Sequence, residues 1–188
     1  VLILSRILSL IYGYEALNLL LKFTPSRSSI FLLKNYGAVI GKCVTIQSPL
    51  IIHNGKKGKG TYQNLVIGDD CYIGRDCIFD LQDTIKIGDR VTISHRAILN
   101  THTDKGKANI AVELNNKSSS QINIEDDVYI GTNVTILQGV TIGKQSLVGD
   151  KSLVSKNLPE GSKSYGVTAV SYTHLLANET YLHHVCRL

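Results

Sequence analysis

The sequence lacks tryptophan and methionine, and it has few aromatic residues of any kind. Aromatic residues make up 6% of the 188 residues, whereas 43% of the chain is hydrophobic. An irregular globular core is usually filled with large aromatic side chains, but a repetitive core can be filled with stacked Ile, Val and Leu. The composition therefore favours a core built by repetition. The charged fraction of 19% excludes wholesale disorder.

The four cysteines form neither a CxxC pair nor a metal-ligand spacing; they are Cys43, Cys71, Cys77 and Cys186. We therefore expect reduced thiols, no bound metal and a cytoplasmic location. The net charge of +5 is spread along the chain and forms no concentrated Lys/Arg stripe. Such a mild basic bias suits an anionic ligand better than nucleic acid, so we expect no nucleic-acid partner.

The first 23 residues are largely apolar, with Arg6 and Glu15 as interruptions. Leu and Ile recur there at roughly helical spacing, which predicts a helical segment within residues 1–36. A membrane-spanning helix needs about 20 almost uncharged residues, and Gly13 lies in the middle of this stretch. We expect the segment to pack on its own domain or on a neighbouring subunit. The alternatives are association of residues 1–23 with a membrane surface and a true membrane span.

A six-residue period dominates the rest of the chain. Large aliphatic residues fall every six positions without a gap at Ile124, Ile130, Ile136, Ile142, Val148 and Val154. A small or acidic residue follows most of them, and the fourth position after each is again small or β-branched. The same pattern begins earlier, at Ile40, Ile67, Ile73, Ile87 and Ile93. A series of this length is very unusual for a chance arrangement.

A period of six is neither helical nor alternating, so it predicts a short strand followed by a corner. Three such units close one triangular coil, which stacks Ile124 on Ile142 and Ile130 on Val148. Neighbouring coils then pair as parallel strands. The glycine after the aliphatic residue is expected where the backbone turns tightly or takes a positive φ. The prediction is an all-β parallel β-helix, and an ordinary β-sandwich is the alternative.

Two segments interrupt this period. Residues 52–65 contain a Gly/Lys-rich run, and residues 103–121 are rich in Asn and Ser. Both are predicted to be loops that leave a coil corner. The lysines of the first loop, at 56, 57 and 59, could contact phosphate or an anionic glycan, or they could simply be solvated. Because loops on a rigid scaffold carry much of protein function, we expect a functional site beside them.

Several motifs of the repeat resemble a known family. Thr101-His102-Thr103-Asp104 precedes the second loop, and further motifs span residues 124–137, 139–143 and 154–159. Over residues 37–169 the chain resembles the hexapeptide-repeat acyltransferases, more narrowly the maltose, galactoside and polysaccharide O-acetyltransferases. The resemblance implies a left-handed β-helix, a homotrimer and an acyl-CoA site between adjacent subunits. It also implies acetyl-CoA as cosubstrate and a hydroxyl of a sugar or surface-polysaccharide precursor as acceptor, with no metal required.

Within this resemblance, His102 is the candidate general base. An imidazole with a pKa of about 6.5 offers a neutral nitrogen at physiological pH, and His102 lies where a coil gives way to the long loop. The matching histidine of the family takes the proton from the acceptor hydroxyl. A surface corner histidine is the alternative interpretation. His95 is the competing base, and we expect it instead to line the cleft and contact substrate, or to be simply solvated.

The resemblance also implies the oxyanion donor and the cofactor contacts. The backbone N–H of Thr132 matches the family's donor to the developing oxyanion, although Thr132 could be a plain corner residue. Contacts to the cofactor are expected at Gly131, Thr132, Gly149, Lys151 and Lys156. The two lysines would pair with phosphate groups of CoA, or they could be solvated surface residues.

The sequence departs from the family in two places. The family binds the acceptor with an Asn upstream of the base, but residues 74–80 contain none. Asp80 is the candidate substitute, either holding a sugar hydroxyl or orienting His102, with a turn carboxylate as the alternative. After Val167 the family's Pro-Ala-Lys or Pro-Ala-Arg ending is missing. We therefore expect residues 170–188 to be a non-native tail and the affinity for CoA to be reduced.

Three other functions stay open at this point. Acyl transfer to an amine or to a xenobiotic uses the same fold. A γ-type carbonic anhydrase would need three histidines on a metal, and only His95 and His102 are candidates here. A non-catalytic β-helix scaffold would bind no acyl-CoA at all.

Overall fold

Three short helices form the N-terminal segment of the chain. The computed structural model describes residues 2–13, 15–55, 60–104, 119–166 and 170–172. The helices are α1 (Leu2–Tyr12), α2 (Glu15–Phe23) and α3 (Ser26–Asn35). Gly13, with φ of 69°, ends α1, and Pro25 precedes the first turn of α3, where its missing N–H costs no helical hydrogen bond.

The rest of the described chain consists of short strands. They are β1 (Val39–Ile40), β2 (Thr45–Ile46), β3 (Leu50–His53), β4 (Leu65–Ile67), β5 (Tyr72–Ile73), β6 (Cys77–Asp80), β7 (Ile85–Ile87), β8 (Thr92–Ile93), β9 (Ile98–Leu99), β10 (Ile122–Ile124), β11 (Tyr129–Ile130), β12 (Thr135–Ile136), β13 (Thr141–Ile142), β14 (Leu147–Val148), β15 (Leu153–Val154), β16 (Lys163–Tyr165) and β17 (Val170–Tyr172).

The strands form three sheets, and the chain visits them in turn. Sheet A has the order β1-β4-β7-β10-β13, sheet B the order β17-β16-β14-β11-β8-β5-β2, and sheet C the order β15-β12-β9-β6-β3. Every neighbouring pair is parallel except β16 and β17. Ile124 pairs with Ile142 and Ile130 with Val148, so the predicted stacking at a separation of 18 residues is confirmed. The result is a triangular prism of coils.

The interior of this prism is a column of aliphatic side chains. In sheet A, Ile67, Ile87, Ile124 and Ile142 are all at most 1% exposed. Burying one such side chain contributes about 1.5–3 kcal/mol. The small slots are buried as well: Cys71 and Cys77 are free thiols packed at corners, and burial raises the pKa of the Cys77 thiol to about 11. These cysteines therefore act as small hydrophobic residues.

Close approach between coils, and not backbone conformation, explains why glycine recurs after the aliphatic residue. The positive φ values at the corners fall two residues later, on residues such as Asp70 (55°) and Asp127 (59°). A Cβ on Gly68 would lie 2.7 Å from the backbone of Gly88 in the next coil. Of the two expected reasons for these glycines, a tight turn or a positive φ, the positive φ was therefore wrong. They are needed because the backbones of adjacent coils nearly touch.

The helices cover the first coil of the β-helix. Helix α3 packs on β1 and β2, and α2 packs on β3. Asn18 donates from Nδ2 to the carbonyl of Ile52 at 2.8 Å, and its Oδ1 accepts from the Tyr62 hydroxyl at 3.1 Å. Such a cap closes the apolar end that a repeat would otherwise expose. Within the described residues, no helix has the length and apolar character needed to cross a bilayer.

The regular repeat ends after β15. Strand β16 still pairs in parallel with β14, but β17 pairs with β16 in the antiparallel direction. Strand β17 belongs to the segment predicted to be a non-native tail, and it extends sheet B without forming a further coil. Residues 173–188 of that segment lie outside the described residues.

We predict that Gly68→Ala lowers the free energy of unfolding by about 1–3 kcal/mol, because the added methyl group forces adjacent coils apart. Chemical denaturation monitored by circular dichroism measures the change. The matched control is Ser94→Ala, since Ser94 follows Ile93 at the equivalent position of its hexapeptide and already carries a side chain. Equal stability of Gly68→Ala and the unsubstituted protein would contradict the close-approach explanation.

Candidate active site

Two edges of the prism carry the residues singled out from the sequence. We call the corner between sheets C and A the His102 edge. Asp80 lies there as the last residue of β6, and Asn54 and His102 follow β3 and β9. We call the corner between sheets B and C the Thr132 edge. It carries His95, Thr132 and Lys151, after β8, β11 and β14.

The central contact of the His102 edge joins His102 Nδ1 to Asp80 Oδ2. Asp80 is 4% exposed, and its carboxylate also accepts hydrogen bonds from the Thr101 backbone N–H at 3.0 Å and from Asn54 Nδ2 at 2.7 Å. A buried carboxylate needs such donors to remain ionised. Asp80 is therefore held firmly in place beneath the imidazole.

The protonation of this pair follows from its surroundings. Burial raises the pKa of Asp80, but the hydrogen bonds from Asn54, His102 and Thr101 outweigh it, so the pKa lies below its ordinary value. Burial lowers the pKa of His102, whereas the hydrogen bonds to Asp80 and Asp104 raise it, and the net pKa lies above its ordinary value. Asp80 is thus an anion at neutral pH, and it stabilises the protonated imidazole.

The second ring nitrogen of His102 faces outward. Nε2 lies 3.0 Å from Oδ1 of Asp104, whose side chain is 89% exposed, and 3.5 Å from Nδ2 of Asn54. His102 and Asp104 line a cleft of about 300 Å³ that is also lined by His53 and Asn100. A histidine with one nitrogen on a buried carboxylate and the other on a cleft can exchange a proton with a bound molecule.

The long loop starts and returns at this cleft. His102 forms an antiparallel bridge with Ser119, and the Ser120 N–H donates to the Thr101 carbonyl at 2.9 Å. The base of the loop is therefore tied to the coil beside His102. Residues 105–118 of the predicted loop, and Lys56, Lys57 and Lys59 of the first loop, lie outside the described residues.

On the Thr132 edge the predicted oxyanion donor already has a partner. The Thr132 N–H donates to Asp150 Oδ1 at 2.6 Å. The equivalent N–H of Asp69, at a corner between sheets A and B, donates in the same way to Asp89 Oδ1 at 2.8 Å. This bond therefore recurs as part of coil stacking, and an oxyanion could use the Thr132 N–H only after Asp150 had moved.

The other predicted cofactor residues are divided between the two edges. Gly131 and Gly149 stack on each other, and a Cβ on Gly131 would lie 2.9 Å from the Gly149 backbone. Lys151 donates its N–H to the Thr132 carbonyl at 2.8 Å and is exposed. Lys156 follows β15 and so lies on the His102 edge. The sequence prediction had placed both lysines with one ligand.

His95 lies apart from His102 within one chain. It is exposed at the Thr132 edge, where its Nδ1 accepts a hydrogen bond from the Arg75 N–H at 3.1 Å. It does not line the cleft beside His102. Among the described residues, no group of three His, Cys, Asp or Glu side chains is arranged to hold a metal ion.

Asn54 and Asn100 were missed by the sequence analysis. Asn54 follows His53, which pairs with Asp80 across 27 positions of sequence, because the first loop lengthens that coil beyond 18 residues. Asn100 precedes the Thr-His motif and lines the cleft. Both amides lie outside residues 74–80, the stretch that matches the position of the family's Asn.

Comparisons with known proteins agree with this fold. A family model described as the hexapeptide repeat of succinyl-transferase matches residues 64–94 and 121–155. The galactoside O-acetyltransferase of Lactococcus lactis is 31% identical over 168 residues, which cover 81% of this chain and 72% of that protein. A hexapeptide-repeat acetyltransferase of Vibrio cholerae, solved with acetyl-CoA, has a TM-score of 0.70 and 27% identity, covering 82% of this chain and 81% of that one.

A solved galactoside acetyltransferase in complex with coenzyme A is also similar, with a TM-score of 0.70, 25% identity, and coverage of 84% of this chain and 76% of that one. The chain belongs to the hexapeptide-repeat acyltransferase family. It is therefore an enzyme of the acetyltransferase class, and the predicted left-handed parallel β-helix is confirmed.

We predict that Asp80→Asn lowers the pKa of His102, because the anion that stabilises the imidazolium is lost while the burial that lowers this pKa remains. Asp104→Asn should lower it less, since Asp104 is exposed to solvent. NMR titration of the imidazole measures both changes. Asp127→Asn is the matched control, because Asp127 pairs with Arg90 at a different corner. An unchanged His102 pKa in Asp80→Asn would contradict the described pair.

Proposed function

We propose that this enzyme transfers the acetyl group of acetyl-CoA to a hydroxyl of a sugar or of a surface-polysaccharide precursor, with His102 as general base. The observation that carries the proposal is the arrangement of the two imidazole nitrogens. Nδ1 is bound to the buried carboxylate of Asp80, while Nε2 contacts the exposed carboxylate of Asp104, and both His102 and Asp104 line the cleft. This is the arrangement that a base needs in order to receive a proton from a bound acceptor.

In the proposed reaction the proton moves along a defined route. Asp80 accepts the Nδ1–H bond and so fixes the tautomer that leaves a lone pair on Nε2. The acceptor hydroxyl gives its proton to Nε2 as its oxygen attacks the thioester carbonyl. The tetrahedral intermediate then expels the CoA thiolate, which takes the proton from the imidazolium. Asp80 remains an anion throughout and stabilises the charge that His102 carries in between.

Asp104 must leave Nε2 before the acceptor can bind there. Its carboxylate lies 3.0 Å from Nε2, in the direction that the acceptor hydroxyl would take. Because its side chain is 89% exposed, breaking this contact costs little free energy. The displaced carboxylate could then accept a hydrogen bond from a second hydroxyl of the same sugar.

The acetyl-CoA half of the site is proposed to lie along the Thr132 edge, with Gly131, Thr132, Gly149 and Lys151 as contacts. Lys151 is exposed there and could pair with a phosphate group. The Thr132 N–H remains the proposed oxyanion donor, on condition that Asp150 releases it. Lys156 lies on the His102 edge, where the acceptor is proposed to bind. It could therefore contact the cofactor only from that edge.

A complete site then requires a second subunit. Within one chain the two edges lie at opposite ends of sheet C, separated by an extended strand and its corners. About six residues at roughly 3.3 Å each span up to about 20 Å, whereas the reacting groups must lie about 3 Å apart. We therefore propose that the His102 edge of one chain meets the Thr132 edge of the next in a homotrimer.

The proposal of a sugar hydroxyl as acceptor is supported by two observations. The cleft beside Nε2 is lined by polar groups, including the amides of Asn54 and Asn100, which suit several hydroxyls at once. The similar proteins named above include galactoside acetyltransferases. A panel of galactosides, other sugars and matched amino sugars, assayed by release of CoA thiol, separates hydroxyl from amine acceptors.

We predict that His102→Ala lowers kcat by about 10²–10⁴-fold, because the attacking hydroxyl loses its general base, while the affinity for acetyl-CoA is retained. In the unsubstituted enzyme kcat/KM should rise with pH through the His102 pKa, above the ordinary value of about 6.5, since only the neutral imidazole accepts a proton. The residual kcat/KM of the His102→Ala variant should not show this rise with pH. Steady-state kinetics against pH measures both effects.

The matched control for this experiment is His95→Ala, which removes an imidazole from the other edge of the same chain. Whatever its effect on the affinity for acetyl-CoA, this substitution should leave the rise of kcat/KM with pH unchanged. If His102→Ala keeps the rate and pH profile of the unsubstituted enzyme, His102 is not the base.

A further inference from the structure

Helix α1 turns a polar residue inward and aliphatic residues outward. Ser5 is fully buried, whereas Ile3, Leu4, Ile7 and Ile11 are between 51% and 78% exposed. At 3.6 residues per turn, these four side chains lie within an arc of about 100°. A surface helix that packs only on its own domain has the opposite orientation, so this aliphatic stripe is suited to a further apolar partner.

Helix α2 carries a second exposed apolar stripe. Leu19 is 56% exposed and Phe23 is 81% exposed, and they lie one helical turn apart. Helices α1 and α2 pack against each other, so the two stripes belong to one part of the molecule. We call the six residues Ile3, Leu4, Ile7, Ile11, Leu19 and Phe23 the apolar face.

Cationic side chains accompany both stripes. Arg6 is three residues after Ile3, and Lys22 is three residues after Leu19, so each is a neighbour of its stripe on the helix surface; both are exposed. Residues 1–36 contain four basic residues, Arg6, Lys22, Arg27 and Lys34, and a single acidic one, Glu15, which gives a net charge of +3. Aliphatic stripes flanked by Lys and Arg are typical of helices that lie in the interface of an anionic membrane.

The lengths of the helices restrict how they could meet a membrane. They have 11, 9 and 10 residues, and a span needs about 20. They can therefore lie on a bilayer but cannot cross it. A second copy of the same face would bring two positively charged segments together, which disfavours it as the partner.

We propose that residues 1–36 form a membrane-surface anchor, in which the apolar face enters the boundary between headgroups and acyl chains of an anionic bilayer. The flanking cations would contact lipid phosphates. The residues of the apolar face are exposed and do not line the cleft beside His102, so polar substitutions on this face would leave the cleft intact.

Co-sedimentation of the full chain with vesicles tests the anchor. Vesicles of phosphatidylcholine and phosphatidylglycerol at a ratio of about 3:1 should bind the protein, and pure phosphatidylcholine vesicles should bind it more weakly. Ile7→Ser with Ile11→Ser should weaken partitioning at least about tenfold, because two exposed Ile side chains no longer enter the bilayer. Lys22→Gln should weaken binding to the anionic vesicles alone.

Val39→Ser is the matched control, because Val39 is an exposed aliphatic residue, at 61%, on β1 outside the helices; it should bind vesicles like the unsubstituted chain. Two results would overturn the proposal. One is the absence of binding to either vesicle by protein of normal circular dichroism. The other is a lower oligomeric mass of the double variant in sedimentation, which would show that a second copy covers the apolar face.

Discussion

Parallel pairing between successive coils brings the backbone N–H of Ile78 to 2.9 Å from the carbonyl of Ala97, and the cleft depends on this pairing. It places the end of β6 beside the end of β9, so that Asp80 lies beneath His102 although 22 positions of sequence separate them. The close contact at glycines such as Gly68 lets the coils stack tightly enough to hold that register. The rigidity of the repeat therefore supplies the orientation of the Asp80–His102 pair, the proposed catalytic pair, while the loops supply its surroundings.

The charges at the His102 edge balance two requirements. A buried anion under Nδ1 fixes the tautomer and stabilises the imidazolium, but it also raises the pKa, so that less neutral base is present near pH 7. The contact between Asp104 and Nε2 also raises the pKa of His102. An acceptor that displaces Asp104 would remove one of these two carboxylates from the imidazole and so lower the pKa of His102. Binding of the acceptor would then favour the neutral imidazole, which is the form that accepts a proton.

The fold could be predicted from the sequence because the hexapeptide spacing is regular from 122 to 154, where Ile124 and Ile142 pair as the period requires. The site was harder to predict, because it lies where the period breaks. His53 and Asp80 are 27 positions apart, and Phe79 and Leu99 are 20 apart, so counting in units of 18 does not bring Asn54 to His102. The Thr-His motif still indicated His102, and its likeness to a family indicated Asp80. Neither the motif nor the family likeness could show that the Thr132 N–H donates a hydrogen bond to Asp150, since that contact depends on the side-chain geometry of a corner.

The central claim is that the two edges together form an acetyl-CoA-dependent transfer site. Calorimetric titration of acetyl-CoA into the purified full chain tests it most directly, because it requires no knowledge of the acceptor. The account predicts saturable binding at about one site per chain, which Lys151→Gln weakens and His102→Ala leaves largely unchanged. No saturable binding by a folded, oligomeric protein would contradict the account and would favour a non-catalytic β-helix scaffold.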